Sequence, residues 1–135
     1  MKNNKMMIVI LLVVVVAVAV GAWWYMNREP VETFADYSPG DHFITNVHGA
    51  SKRLLKIAIV LRLNTDDSKV QEEVFTMNNS KIRDKIITIL REQDEVTLMD
   101  PFAQDLLKER IMNELNELLN SQYIKEVHFS DFVVQ

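Results

Sequence analysis

One stretch, Met6 to Met26, decides most of what this chain can be. It reads MMIVILLVVVVAVAVGAWWYM and is apolar at every position except Gly21. Wound as a helix rising about 1.5 Å per residue, it is about 31 Å long, the thickness of a bilayer's hydrocarbon core. It holds no ionisable side chain, so nothing in it opposes insertion. Met6, Ile10, Val14 and Val18 mark its apolar length. Trp23, Trp24 and Tyr25 stand together at its far end, where amphipathic rings favour the headgroup layer. Lys2 and Lys5 precede the run, and Arg28 is followed by Glu29, Glu32 and Asp36. The bias of basic residues toward the cytoplasm predicts a cytoplasmic N-terminus at 1–5, a single transmembrane helix at 6–26 and an exported remainder. A cleaved secretory signal would share the basic start and the small residues Val20-Gly21-Ala22. The apolar run continues beyond Ala22 into the aromatic cluster, which favours an anchor. On either reading everything after Asn27 is exported.

Outside the run, the apolar fraction falls from the whole-chain 48% to about 39%, ordinary for a water-exposed domain. The part after residue 26 carries 13 basic and 19 acidic residues, a balance opposed to nucleic-acid binding. The chain has no cysteine, which removes disulfides, thiolate metal sites and a thiol nucleophile, and suits an oxidising compartment. Residues 27–41 contain Pro30, Pro39 and Gly40 without apolar periodicity and read as a linker. Residues 42–135 then form the exported domain.

Within it, Phe43-Ile44-Thr45-Asn46 reads as a short edge strand, with a turn at His48-Gly49. Leu54–Asn64 is the clearest strand: Leu55, Ile57, Ile59, Leu61 and Leu63 share one face. Leu54, Lys56, Ala58, Val60 and Arg62 make the other, mixed face. Asp66-Asp67-Ser68 offers capping oxygens for a helix over about Lys69–Glu92. Val70, Val74 and Met77 form its first stripe and Ile82, Ile86, Ile89 and Leu90 its second, with a break or change of face at Asn78-Asn79-Ser80. Asp100-Pro101 opens another helix, in which Leu107, Ile111, Leu115 and Leu118 share a side and Glu109, Asn113, Asn116 and Asn120 oppose them. Ile124–Val134 closes the domain as a strand, with Phe129 and Val133 placed in the core. Strand, long helix, helix, strand predicts an α+β domain, a small antiparallel sheet packed by long helices.

Chemistry is hard to find. His42, His48 and His128 have no metal-ligand spacing; His42 and His48 read as solvated, and the His128 ring as facing solvent or a helix end. The three glycines form no phosphate loop. Lys81, Arg83 and Lys85, like the acidic residues of Asp105–Glu117, read as exposed helix faces. No catalytic residue, cofactor or metal is predicted; an anchored module that binds proteins or assembles is.

Three segments carry a family resemblance. Arg53-Leu54-Leu55-Lys56-Ile57-Ala58-Ile59-Val60-Leu61-Arg62-Leu63 is similar to the first long strand of the flagellar basal body-associated FliL family. Ser80–Leu90, SKIRDKIITIL, is similar to its "IRDxIIxIL" helix, and Val127–Gln135, VHFSDFVVQ, to its "FTEFVVQ" ending. They occur in family order over nearly the whole chain, and the last motif, at the terminus, is the specific one. The sequence departs from relatives at Asp100-Pro101-Phe102-Ala103-Gln104, in place of "TPEGK", and at Asn120-Ser121-Gln122, which lacks a frequent glycine. The resemblance implies a stomatin-like (SPFH) exported domain on a single-pass inner-membrane anchor. It implies a non-enzymatic role at the flagellar basal body: a homo-oligomeric ring around the stator proteins MotA and MotB or their equivalents, near the basal-body membrane ring. Support of torque generation, swimming, swarming and chemotaxis follows from that role. The alternative is a membrane-anchored stomatin-like scaffold of another envelope complex. No ion path is expected, since the membrane segment has no ionisable residue.

Overall fold

The computed structural model describes residues 2–49 and 52–135. Met1, in the N-terminal pentad, and Ala50 and Ser51, beyond the Gly49 turn, lie outside them. The chain divides into a first unit ending at Val31 and a second unit, Glu32–Gln135.

In the first unit α1, Lys2–Met26, is a helix of 25 residues, apolar on every side from Met6 onward and without a buried residue. The second unit runs β1 (Ala35–Tyr37), β2 (His42–Asn46), β3 (Leu54–Leu63), α2 (Ser68–Val70), a π segment (Gln71–Thr76), α3 (Asn79–Arg91), α4 (Glu95–Leu98), α5 (Ala103–Leu118) and β4 (Ile124–Val134). It is an α+β domain with one antiparallel sheet. β3 lies at the centre, with β1 and β2 in succession along one side and β4 along the other.

The alternation of β3 dictates the layering. Leu55, Ile57, Ile59, Leu61 and Leu63 are all fully buried beneath α3, α5 and the π segment. Each such side chain contributes about 1.5–3 kcal/mol through its removal from water. Ile82, Ile86, Ile89 and Leu90 of α3 and Leu107, Ile111 and Leu115 of α5 supply the facing layer. The other row of β3, from Lys56 to Arg62, is half-exposed.

β4 departs from simple alternation. Its pairing shifts between Ala58/Ile59 and between Arg62/Leu63, so Ser130 and Lys125 are each one residue too many. Such bulges reverse which parity faces inward. Ile124, Val127, Phe129, Phe132 and Val134 oppose the inward row of β3, whereas Val133 sits opposite Lys56 on the outward row. Val133 is therefore not a core residue. Phe129 does face inward but is only half-buried, stacked on Phe132 at 5.8 Å at the margin of the core.

The other differences are local. Residues 35–37, read as linker, form β1, pairing Ala35, Asp36 and Tyr37 with Leu63, Arg62 and Leu61. Three residues are too few to show a period; Tyr37 secures them by packing on Phe75 (5.3 Å between ring centres) and donating a hydrogen bond to Asn79 Oδ1 (2.8 Å). The helix read from Lys69 to Glu92 is divided: after Asp67 caps Lys69 N (2.9 Å), the chain winds as a π segment and ends before Asn78. The wider turn rotates the face, so Phe75 is fully buried while Met77 is exposed. α4 was not legible as a separate helix. The next helix starts at Ala103, with Asp100 Oδ1 accepting from Phe102 N (2.7 Å) in the turn before it. At its far end Leu118 points outward and Asn116 inward.

The end of α5 also explains the missing glycine. Asn120 takes φ 47°, Ser121 N donates to Asn116 O (2.9 Å) and Asn120 N to Glu117 O (3.1 Å). This is the double-bonded C-terminal cap that glycine usually supplies and asparagine tolerates.

Candidate membrane anchor and interaction surfaces

Met6, Ile10, Val14, Val18, Trp23, Trp24 and Tyr25 all lie on α1 with their side chains exposed. α1 is long and apolar enough to cross a membrane by length and composition. At its end the Arg28 guanidinium rests 4.0 Å over the Trp24 ring, joining the aromatic cluster to the first basic residue after it.

In the folded domain, the polar residues form struts rather than a reactive centre. Arg110 bonds Glu114 (2.6 Å) and Glu92, and Lys85 reaches the same Glu114 (3.0 Å), tying α3 to α5. Glu114 and Lys85, read as solvated faces, are therefore engaged with each other. The Arg110 guanidinium, assisted by Lys85, holds the Glu114 carboxyl below its ordinary value of 4.5. Its stabilising contribution is present above that ordinary value and is lost as pH falls through the lower, folded one. Thermal melting should therefore drop below about pH 4.5. In Glu114→Gln the same acid titration should be shallower, by roughly 1 kcal/mol or less for so accessible a network.

Arg83, also read as exposed, is a clamp. Its guanidinium lies 4.5 Å over the Phe43 ring and donates to Pro39 O (3.0 Å). Gly40, at φ 140°, lies against it so closely that a Cβ there would collide with the guanidinium. Asn116 is a buried bracket: its Nδ2 donates to Ile124 O (2.9 Å) and its Oδ1 accepts from Ile124 N (3.1 Å). Its place among the polar positions of α5 concealed this, because spacing alone does not register a hydrogen-bond partner eight residues away.

The histidines are placed separately. His42 Nε2 lies 3.1 Å from Asp131 across the outward face of the sheet, and His128 Nε2 lies 3.0 Å from Glu126. His48 takes its place through its backbone, donating to Gln93 O (2.8 Å). Among the described residues no group of three His, Cys, Asp or Glu side chains could hold a metal ion. An open concavity of about 660 Å³ lies beside β2 and is bordered by Thr45, Asn46, His48 and Arg91. A second, beside the end of α5, is about 410 Å³ and is lined by amides, Ser121 and the single carboxylate of Glu117. Among the described residues the Thr45 hydroxyl donates to Asn46 O in the first, and the buried Ser121 hydroxyl has no hydrogen-bond partner in the second, so in neither does a bond join a hydroxyl to a base. What the domain presents is surface: an open, mixed sheet face and the exposed sides of its helices.

No curated protein matches the chain. Residues 37–135, which begin inside β1 and take in every later element, match the family of flagellar basal body-associated protein FliL, and the chain belongs to that family.

Proposed function

We propose that this chain is a non-enzymatic structural protein of the flagellar motor, with a stomatin-type exported domain that assembles as a ring around stator units and supports torque generation, motility and chemotaxis. The FliL family is a structural family of the flagellar basal body and is not known as an enzyme family. That membership carries the proposal. The spanning length of α1 supports a single-pass anchor in the inner membrane, and the positions of Lys2 and Lys5 support a cytoplasmic N-terminus. The strutted polar residues and the open sheet face fit a protein that works by contact.

Deleting the gene from a motile host tests the proposal. Swimming and swarming should weaken most under viscous load, and the intact gene should restore them. Undiminished motility under load in the deletion strain would refute it. Val14→Arg tests the anchor: a charge at the helix centre costs about 2.5–3.5 kcal/mol on insertion. The variant should leave the membrane fraction and fail to restore motility; unchanged fractionation would contradict a spanning α1.

A further inference from the structure

Outside α1, exposed apolar side chains concentrate in one stretch. Val96, Met99, Phe102 and Leu106 are 83%, 70%, 69% and 62% exposed. Val96 lies in α4 and Met99 caps its end, whereas Phe102 caps the start of α5 and Leu106 lies in its first turn, so the four flank the bend at Asp100-Pro101. Backbone bonds from Met99 N to Glu95 O, Ala103 N to Asp100 O and Leu106 N to Phe102 O hold the end of α4, the turn and the start of α5. Leu98, Ala103 and Leu107 of the same stretch are buried in the domain, which leaves the four as an outward stripe. Leaving Met, Phe and Leu in water together is costly, and clusters of this kind mark contact surfaces.

The surrounding charge identifies the occupant. Residues 92–109 contain Glu92, Asp94, Glu95, Asp100, Asp105 and Glu109 against Lys108 alone. This short stretch holds nearly all of the net negative charge of the exported part. Arg110 takes up Glu92, Arg53 lies 3.3 Å from Glu95 and Lys108 lies 3.8 Å from Asp105, which leaves Asp94, Asp100 and Glu109 as the acidic excess beside the stripe. An anionic lipid surface would be repelled, whereas a basic one would be drawn in and oriented.

We propose that this stripe docks a helical segment of a partner protein whose apolar anchors are flanked by lysine or arginine. The apolar residues provide the buried contact and the acidic rim provides selection, the division of labour of helix-on-groove recognition. The proposal does not depend on a ring or on the stator reading.

The test uses the full chain in nanodiscs of zwitterionic lipid, with empty discs as the blank. The probe is a fluorescein-labelled helical peptide with leucines on one face and lysines on the other; a second peptide has glutamate in place of every lysine. Fluorescence anisotropy should show micromolar binding of the lysine peptide. Binding should weaken by at least about tenfold, a change of about 1.4 kcal/mol, for the glutamate peptide and for Phe102→Ser/Leu106→Ser. Both side chains are exposed, so that double variant should melt as the unaltered protein does; Val96→Ser/Met99→Ser provides an independent pair. Absence of binding, or equal binding by both double variants, would overturn the proposal. So would self-association in sedimentation, or flotation with anionic vesicles, that either double variant abolishes, because a second copy or a membrane would then be the occupant.

Discussion

Ile59→Asp should abolish cooperative folding of the exported domain. Ile59 lies at the centre of β3, 1% exposed, between Ile57 and Leu61 on the inward row and opposite Phe129 of β4. Aspartate there forfeits about 1.5–3 kcal/mol of apolar burial. It also places a carboxylate, or the acid that forms to avoid the charge, where no described basic group bonds to the inward row. The two losses together reach about 5 kcal/mol or more, comparable to the whole stability of a small domain. Circular dichroism should show no cooperative melt. Val60→Asp, one residue along on the half-exposed row, should retain one. Equal melting of the two variants would mean that β3 does not face the core as described.

Asn116→Leu should be the most damaging change at a polar position. The Asn116 amide, 7% exposed, fills both hydrogen-bonding positions of Ile124, the first residue of β4. It stands in for a neighbouring strand at the start of a long strand that, among the described residues, pairs with β3 alone. Leucine preserves the approximate volume but leaves a buried N–H and C=O unpaired, at about 1–3 kcal/mol each. The expected destabilisation is about 2–4 kcal/mol, read from denaturant midpoints. Hydrogen exchange should rise first at Ile124. A variant as stable as the parent would show that water replaces the bracket at no cost.

These two residues also mark the limits of reading the fold from sequence. β3 was legible to its individual residues because alternation of ten positions has no competing explanation, and the second stripe of α3 was legible for the same reason. Asn116 was not, since an asparagine on a helix looks the same whether it meets water or a strand. Val133 was misplaced because the bulge at Ser130 shifts parity without leaving a compositional mark. Phe75 was missed because a helical period of 3.6 does not describe a π winding, and β1 because its three residues are held by Tyr37 rather than by a pattern. The apolar length of α1 was plain from the first residues. The exposed apolar residues Val96, Met99, Phe102 and Leu106 were less so: in sequence they look like their neighbours Leu98, Ala103 and Leu107, and only the burial of those three sets the four apart as outward-facing.

Imaging a functional fluorescent fusion in motile cells, with and without the stator proteins, decides whether this FliL-family chain works at the stator. Spots should form at the flagellar bases, disperse into the membrane when the stator is removed and return when it is restored. A diffuse membrane signal in cells with an intact stator, together with normal motility when the gene is deleted, would contradict it.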